Sequence, residues 1–335
     1  MIFKTLADLG WSDHFRGQCE AGAVPARVSD VHRDRVVACL PERVELRLAA
    51  LSAGDIAVGD WVLVENGAVQ RVLERRSVVQ RRAAGQEARA QLLAANVDTL
   101  MIVTSCNADF NPARLERYLA LAASGGVLPL IVITKADQVA DAATFRKRAE
   151  RLSPEVTALT IDARDPYEVK QLHAWLRPGE TAALVGSSGV GKSTLLNALT
   201  GGDAATQGIR EDDAKGRHTT TARSLHAALS GGCVIDTPGM RELQLYESAE
   251  GIDAVFADLA DLATNCKFSD CAHESEPGCA VQAAIAAGTL EPERLRRWQK
   301  LLREDRFNSE TVAERHARDR AFGKRVKAAM KRKER

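Results

Sequence analysis

The chain has 335 residues, of which 45% are hydrophobic and 27% charged, and its formal net charge is +1. This length suits two or three compact domains, and the composition is that of a soluble globular protein. The longest apolar runs, such as 128–133, are far shorter than the roughly 20 residues that span a bilayer, and the N-terminus carries an acid and lacks an apolar core. We therefore expect a cytoplasmic protein with no membrane segment and no secretory signal.

The first part of the chain, between residues 22 and 82, contains short β-type runs. They are separated by Asp, Gly and Pro, and they cover residues 23–28, 35–40, 44–48, 61–65 and 68–72. This pattern predicts a small all-β barrel or sandwich, to which we assign residues 20–86.

After residue 98 the pattern changes to apolar strands that alternate with helices. The predicted strands are 100–104, 128–134, 157–161, 181–185 and 233–236, and the predicted helices are 112–124 and 193–199. Such alternation predicts a parallel sheet with helices on both faces, within an α/β domain that spans residues 88–246. The remaining residues, 247–335, contain a Cys/His cluster followed by helical and increasingly basic sequence.

Residues 186–193 have the sequence Gly-Ser-Ser-Gly-Val-Gly-Lys-Ser, a full match to a phosphate-binding loop between a strand and a helix. Its glycines allow backbone N–H groups to converge on phosphate oxygens. Lys192 is predicted to bridge the terminal phosphates, and the Ser193 hydroxyl is predicted to ligate Mg²⁺. The predicted nucleotide contacts of this loop are Gly186, Ser187, Ser188, Gly189, Val190, Gly191, Lys192, Ser193 and Thr194.

A second motif, Asp236-Thr-Pro-Gly239, ends an apolar strand 43 residues after Ser193. We expect Asp236 to hold Mg²⁺ through its water shell and the Gly239 N–H to sense the γ-phosphate. The next residue is Met240, where many GTPases have a Gln that orients the attacking water. Since methionine cannot do this, the water must be positioned by another group or by a partner.

The loop at 215–221, Lys-Gly-Arg-His-Thr-Thr-Thr, lies between these two motifs and is the predicted switch I. One of its threonines is expected to complete the Mg²⁺ shell. Thr220 is favoured, and its neighbours stay open. His218 is the nearest polar side chain that could replace the missing Gln, and a solvent-exposed histidine without a catalytic role fits the sequence equally well.

Thr134-Lys135-Ala136-Asp137 is the predicted base-reading loop. The Asp137 carboxylate can accept hydrogen bonds from N1–H and the exocyclic amine of guanine, which adenine does not offer. Lys135 is expected to lie along the base plane. Thr134 stands where Asn is commoner, and this replacement is expected to remove one base or loop-bridging hydrogen bond. A second base contact is expected from the backbone at 162–163. This loop precedes the phosphate loop, whereas in ordinary GTPases it comes last.

Seven cysteines are an odd number, and three of them crowd into residues 266–279 with one histidine. Three thiolates and an imidazole in the spacing C-x4-C-x-H-x5-C, without a carboxylate, predict a closed tetrahedral Zn²⁺ site with a structural role. One metal site in a reducing cytoplasm fits this pattern better than a disulfide framework. The predicted ligands are Cys266, Cys271, His273 and Cys279.

Three basic segments are candidate nucleic-acid contacts. Residues 315–335 contain ten Lys/Arg against two acids, and six arginines lie between residues 71 and 89. Solvated surface is an equally ordinary explanation, but the neighbouring zinc site and barrel favour contacts with phosphate backbones. Trp61 is a solitary candidate for base stacking, with core packing as the more ordinary alternative. The helical stretch from residue 290 is predicted to place four cations on its outer side: Arg294, Arg296, Arg297 and Lys300.

Three features together carry a resemblance: Gly-Arg-His-Thr-Thr-Thr at 216–221, the base loop that precedes the phosphate loop, and the Cys/His cluster after Asp-Thr-Pro-Gly. The chain resembles the RsgA (YjeQ) family of circularly permuted GTPases that act on the small ribosomal subunit, over most of its length. The resemblance implies an N-terminal OB-fold, a central permuted GTPase domain and a C-terminal zinc domain. It also implies GTPase activity stimulated by the small subunit, contacts with ribosomal RNA and a late maturation role. By position, His218 matches the family's proposed catalytic histidine, and Met240 matches a hydrophobic residue.

We therefore predict a GTP-hydrolysing assembly factor that binds GTP and GDP, uses Mg²⁺ with GTP, holds one structural Zn²⁺ and is simplest as a monomer. Lys192, Thr220 and His218 are its predicted catalytic residues. Only 26 residues separate the Asp-Thr-Pro-Gly motif from the first zinc cysteine, so ordering of the switch loops is expected to reposition the zinc domain. Two alternatives stay open: a P-loop ATPase or kinase on a small substrate, and a zinc-containing RNA-binding module whose nucleotide switch does not hydrolyse.

Overall fold

The computed structural model describes residues 3, 5–40, 42–83, 89–154, 156–202, 223–237 and 243–310. Several predicted features lie outside these residues: the switch loop with His218 and Thr220, the residues Gly239 and Met240, and the basic tail after residue 310. Within the described ranges, no helix is both long and apolar enough to cross a membrane.

The N-terminal strands form a closed five-stranded barrel. The chain starts with the one-turn helix α1 (Asp13–Arg16), and the barrel strands are β1 (Val24–Val31), β2 (Arg35–Cys39), β3 (Arg43–Arg47), β4 (Trp61–Glu65) and β5 (Ala68–Val72). Their order is β1-β2-β3-β5-β4, and β4 pairs back onto β1, so every edge of the sheet is paired. The inward side chains are small or β-branched, such as Ala26, Val28, Val36 and Val69, which fits the narrow interior of a barrel this small. The predicted all-β barrel is confirmed.

A two-stranded ribbon follows the barrel. Its strands β6 (Val78–Arg82) and β7 (Ala90–Ala95) pair with each other in antiparallel register. Its first strand begins against the end of helix α2 (Pro112–Ser124), where the Val78 N–H donates to the Gly125 carbonyl at 3.2 Å.

The central domain is a mainly parallel sheet covered by helices. Its strands are β8 (Thr99–Ser105), β9 (Leu128–Thr134), β10 (Thr157–Thr160), β11 (Thr181–Gly186), β12 (Ser224–Ala227) and β13 (Cys233–Asp236). Their order is β10-β9-β8-β11-β13-β12, and the β12–β13 pair is antiparallel while the others are parallel. The helices after α2 are α3 (Ala142–Glu150), α4 (Pro166–Val169) and α5 (Lys192–Thr200), with 3₁₀ turns at Ala136–Gln138 and Lys170–Trp175. Every residue of β8 and β11 is buried, which explains their continuous apolar sequence.

The order of these strands positions the site. Strand β11 comes late in the chain but lies between β8 and β13. The carboxyl ends of parallel strands meet at one edge of a sheet, so the loops after β8, β9, β10, β11 and β13 converge there.

The barrel and the central domain share one sheet, because β12 pairs with β1 at Ser224 and Asp30. The Ser224 hydroxyl donates to the Asp30 carboxylate at 2.6 Å. A second link is Arg27, which is 1% exposed and donates to the carbonyls of Gly59 in the barrel, at 3.3 Å, and Asn96 before β8, at 3.0 Å. Burial lowers the pKa of Arg27, and its hydrogen bonds to carbonyls compensate part of this cost.

The described part of the C-terminal region is helical and packs against α2 through two of its helices, α6 (Ala249–Val255) and α9 (Pro292–Ser309). Between them in the chain lie α7 (Ala257–Thr264) and α8 (Ala280–Ala286). Helices α2 and α6 approach closely at Gly251, where a Cβ would lie 2.5 Å from the Ala120 carbonyl oxygen. On the same side of α2, the fully buried Glu116 accepts hydrogen bonds from Arg297 at 2.7 Å and from Arg294 at 3.3 Å.

Candidate nucleotide site and metal centre

The loop between β11 and α5 has the backbone shape of a phosphate cradle. Gly186, Gly189 and Gly191 have φ angles of 145°, 81° and 96°, which only glycine adopts readily. A Cβ at Gly186 would lie 2.2 Å from the Val103 carbonyl oxygen, so this position also requires glycine because β8 is so close. Helix α5 starts immediately after the loop, at Lys192, and its free N–H groups face the cradle.

Lys192 folds back over the loop. Its ammonium donates to the carbonyls of Gly186 at 2.9 Å and Ser187 at 2.5 Å, and the residue is 9% exposed. Burial lowers the pKa of Lys192 to about 8, and the attraction of Asp236 and Asp109 opposes this shift. Arriving phosphate oxygens can replace the two carbonyls as partners of the ammonium.

Asp236 ends β13 on the other side of the cradle. Burial raises the pKa of Asp236 to about 6, and Lys192 opposes the shift. The Ser193 side chain lies in the first turn of α5 and is partly exposed. A hydroxyl and a carboxylate at the mouth of a phosphate cradle are the hard oxygen ligands that Mg²⁺ prefers, so these two residues fit a magnesium site.

The base-reading loop contacts the phosphate loop directly. Thr134 ends β9, and its hydroxyl lies 2.5 Å from the Val190 carbonyl oxygen and donates to it. The Lys135 ammonium donates to the Gly189 carbonyl at 2.9 Å, and Lys135 itself is left-handed with φ 59°. Thr134 thus bridges the two loops, so the loss expected from the absence of Asn does not include the loop-bridging hydrogen bond.

Asp137 has a partner that sequence reasoning missed. Arg164 donates to the Asp137 carboxylate at 2.7 Å and, through Nε, to Asp162 at 3.1 Å. Hydrogen bonding to Arg164 lowers the pKa of Asp162. The Ala136 N–H also donates to the Ile161 carbonyl at 3.3 Å, so the loop after β10 lies beside the base loop as expected. Arg164 directly follows the 162–163 backbone, but nothing in the sequence indicates its contact with Asp137.

These contacts bring the loops of the candidate site together at one edge of the sheet, and we call this edge the cleft. The phosphate loop lies at its centre, Asp236 lies on one side, and the loops of Asp137 and Arg164 lie on the other. The Asp137 carboxylate and the Lys192 ammonium thus belong to loops at the same edge of the sheet.

The Cys/His cluster brings four potential metal ligands together. The ligand atoms of Cys266, Cys271, His273 and Cys279 all lie within 4.8 Å of one another. The Cys266 and Cys279 sulfurs are 3.9 Å apart, and they lie 3.6 and 3.5 Å from His273 Nδ1. Zn–S bonds of about 2.3 Å at tetrahedral angles place sulfurs roughly 3.8 Å apart, so the donors fit zinc.

Neighbouring groups orient these ligands. The Gln282 N–H at the start of α8 donates to the Cys279 sulfur at 3.4 Å. His273 is left-handed with φ 58°, its carbonyl accepts from the Gln282 side chain at 2.6 Å, and its ring packs on Trp298 of α9 at 5.7 Å. Such support fixes the donor geometry and ties the metal centre to α9.

The prediction that α9 places four cations on its outer side is only partly right. Arg294 and Arg297 were expected on the outside of their helix, but their side chains are 12% and 17% exposed because they turn inward to Glu116. Arg296 and Lys300 do lie outside, at 67% and 68% exposed.

The arginines between residues 71 and 89 are largely occupied by internal partners. Arg75 bonds the buried Asp60 at 2.7 Å, Arg76 bonds Asp98 at 3.2 Å, and Arg82 bonds Asn308 at 3.3 Å. This segment therefore offers less free positive charge than its sequence suggested. Trp61 is fully buried against Trp11 and Phe15, so it belongs to the core and does not stack on a base.

Comparisons with known proteins point to one family. A family model described as RsgA GTPase matches residues 72–246. The chain is 55% identical to the small ribosomal subunit biogenesis GTPase RsgA of Mesorhizobium japonicum over 316 residues, 91% of each chain. It is 46% identical to the small ribosomal subunit biogenesis GTPase RsgA 2 of Vibrio parahaemolyticus, over 97% of this chain and 92% of that protein.

Two solved structures share the fold. The crystal structure of YjeQ from Thermotoga maritima superposes with a TM-score of 0.63 at 26% identity, over 84% of this chain and 98% of that one. YloQ, described as a circularly permuted GTPase, superposes with a TM-score of 0.60 at 23% identity, over 90% of this chain and 100% of that one. At its lower identity, the second structure supports the fold alone.

Proposed function

The chain belongs to the RsgA GTPase family, and we propose that it binds the small ribosomal subunit, assists its late maturation and hydrolyses GTP to GDP and phosphate there. The observation that carries the proposal is the contact of the base-reading loop with the phosphate loop through Lys135 and Gly189. This contact joins a guanine-selective acid to a phosphate cradle in one cleft. The small ribosomal subunit is proposed as the partner because the relatives are named for its biogenesis.

Nucleotide binding exchanges internal partners for ligand atoms. The Lys192 ammonium leaves the Gly186 and Ser187 carbonyls for the terminal phosphate oxygens. The Asp137 carboxylate accepts from guanine N1–H and the exocyclic amine, and Arg164 shifts to make room. Thr134 and Lys135 hold the two loops in register, so base and phosphates are read together.

Ser193 and Asp236 are proposed to hold Mg²⁺, which would neutralise charge on the phosphate oxygens. His218, Thr220 and the Gly239 N–H lie outside the described residues. We retain them as proposed water-positioning, magnesium-completing and γ-phosphate-sensing groups. With Met240 in place of Gln, the isolated chain is expected to turn over slowly until the ribosomal subunit completes the site.

We assign one structural Zn²⁺ to the Cys/His cluster, whose four donors leave no ligand position for a substrate. The zinc region and the barrel are proposed to contact ribosomal RNA, with the chain acting as a monomer in the cytoplasm. The docking of α9 on α2 through Glu116 connects the central domain to the zinc region.

The deciding experiment is nucleotide turnover with and without purified small ribosomal subunits. Wild-type protein is expected to hydrolyse GTP but not ATP, and saturating subunits are expected to increase the rate at least tenfold. Lys192→Ala is expected to remove turnover in both conditions. ATP hydrolysis at the GTP rate would favour a P-loop ATPase or kinase, and subunit binding without any turnover would favour an RNA-binding module with a non-hydrolysing switch.

A further inference from the structure

Arg114 lies in the first turn of α2, outside the sequence motifs of the nucleotide site, yet its side chain reaches the phosphate loop. Its Nη1 donates to the Ser187 hydroxyl at 2.6 Å. Its Nη2 donates to the Asp109 carboxylate at 2.9 Å and also to the Asp109 carbonyl. The backbone here is fixed by Asn111, whose side chain caps α2 by accepting from the Arg114 N–H at 3.1 Å.

Ser187 is therefore held by two cations at once. Arg114 binds its hydroxyl, and Lys192 binds its carbonyl at 2.5 Å. The Lys192 contact is given up when phosphates arrive, but the Arg114 contact does not involve any group that the phosphates require. Arg114 can thus hold the loop at Ser187 both before and after nucleotide binding.

Arg114 also neutralises the negative charge of Asp109 beside the phosphate loop. Its carboxylate is near enough to attract the Lys192 ammonium, and it is only 29% exposed, so water screens it incompletely. An unpaired carboxylate beside the phosphate loop would repel the phosphates of the ligand. The guanidinium of Arg114 neutralises it in the described structure.

We propose that Arg114 is a positioning residue of the nucleotide site, which fixes Ser187 in the phosphate loop and neutralises Asp109 beside it. This inference rests on the proposed GTPase function. It assigns to α2, the helix that also carries Glu116 against the C-terminal region, a direct contact with the phosphate cradle.

The test measures dissociation constants for fluorescent GDP and for a non-hydrolysable GTP analogue. Arg114→Ala is expected to weaken the GTP analogue by about tenfold, the range of a lost charge-assisted hydrogen bond, and GDP by less because it carries less charge. Adding Asp109→Asn to Arg114→Ala is expected to recover most of the affinity, because the repelling carboxylate is gone. Ser187→Ala removes only the hydroxyl and is expected to lose part of the affinity without disturbing the fold.

Arg146→Ala serves as the matched control, since Arg146 is an exposed helical arginine of the same domain whose partner Glu150 lies one turn away. It is expected to leave both dissociation constants unchanged. The proposal is overturned if Arg114→Ala binds both nucleotides like wild type, or if it weakens both equally and Asp109→Asn restores nothing. Wild-type protein that binds no guanine nucleotide would instead refute the proposed function.

Discussion

The ammonium of Lys135 donates a hydrogen bond to the carbonyl of Gly189 at 2.9 Å, although 54 positions separate the two residues along the chain. In sequence the base-reading loop precedes the phosphate loop. In space the two loops still touch, because β9, β8 and β11 are adjacent parallel strands with their carboxyl ends at one edge. The geometry of the cleft depends on strand order in the sheet, and the order of the motifs in the chain does not alter it.

The preference for guanine over other bases should depend on the Asp137 side chain. Asp137→Asn offers an amide donor where guanine N2 also donates, whereas xanthine has a carbonyl oxygen there, so preference should move from GDP to XDP by about a hundredfold or more. Competition binding with the two diphosphates measures this shift. Asp162→Asn is the matched control, because the Asp162 side chain bonds the same arginine while only the backbone at this position is expected to reach the base. The variant should keep GDP preference. An Asp137→Asn protein that still prefers GDP would contradict the assignment.

Arg164 should slow nucleotide entry. Guanine must take the Asp137 carboxylate from a guanidinium at 2.7 Å, and this guanidinium is 63% exposed. An ion pair so open to water is weak, so Arg164→Ala should accelerate GDP association by no more than about fivefold. Stopped-flow binding at two ionic strengths checks this, since salt screening should shrink the difference between variant and wild type. Slower association in the variant would show that Arg164 instead recruits the nucleotide.

GDP binding should take up a proton in mildly alkaline solution. In the nucleotide-free chain burial lowers the pKa of Lys192 to about 8, and phosphate oxygens should raise it again by stabilising the ammonium. Above pH 8 the free site has lost its proton while the bound site keeps it, so affinity should fall by up to about tenfold per pH unit.

Calorimetry at pH 8.5 in EDTA, in two buffers of different ionisation enthalpy, measures this uptake without metal. At pH 7 the lysine is mostly protonated in both states, so most of the buffer dependence should vanish. Equal heats in both buffers at pH 8.5 would show that the phosphates do not reach Lys192.

The zinc centre should hold one ion per chain and support α9. His273→Ala removes one of four ligands and the ring that packs on Trp298 at 5.7 Å, so zinc content and the thermal midpoint should both fall. Metal analysis after gel filtration and circular dichroism measure the two effects. Cys19→Ser is the matched control, because Cys19 is distant in sequence from the Cys/His cluster and its thiol donates to the Phe15 carbonyl. Loss of zinc from Cys19→Ser as well would exclude the assigned ligand set.

The sequence predicted those parts of the molecule that depend on local pattern. The barrel, the parallel sheet, the phosphate loop and the zinc donors each follow from spacing and strand or helix periodicity. Arg114 and Arg164 could not be identified, because their roles come from contacts with Ser187 and Asp137 across separate loops. The domain bounds at residues 86–88 and 246–247 stay predictions.

The buried acid Glu116 shows why helical spacing alone misplaced two arginines of α9. Nothing near Arg294 and Arg297 in the sequence predicts a buried carboxylate, since Glu116 precedes them by 178 and 181 positions. Burial raises the pKa of Glu116, and the two arginines oppose that shift by stabilising its charged form.

Removing this carboxylate should destabilise the docking of α9 on α2. Glu116→Ala leaves the nearly buried Arg297 guanidinium without Glu116 as its acceptor, whereas Arg294 keeps its pair with Asp258 at 2.7 Å. The loss should cost about 3 kcal/mol in the free energy of unfolding. Glu293→Ala, which breaks an exposed pair with Arg296 on the same helix, should cost less than about 0.5 kcal/mol. Urea unfolding followed by circular dichroism compares the two variants. Equal losses would mean that the ion pairs of Glu116 with α9 contribute no net stability.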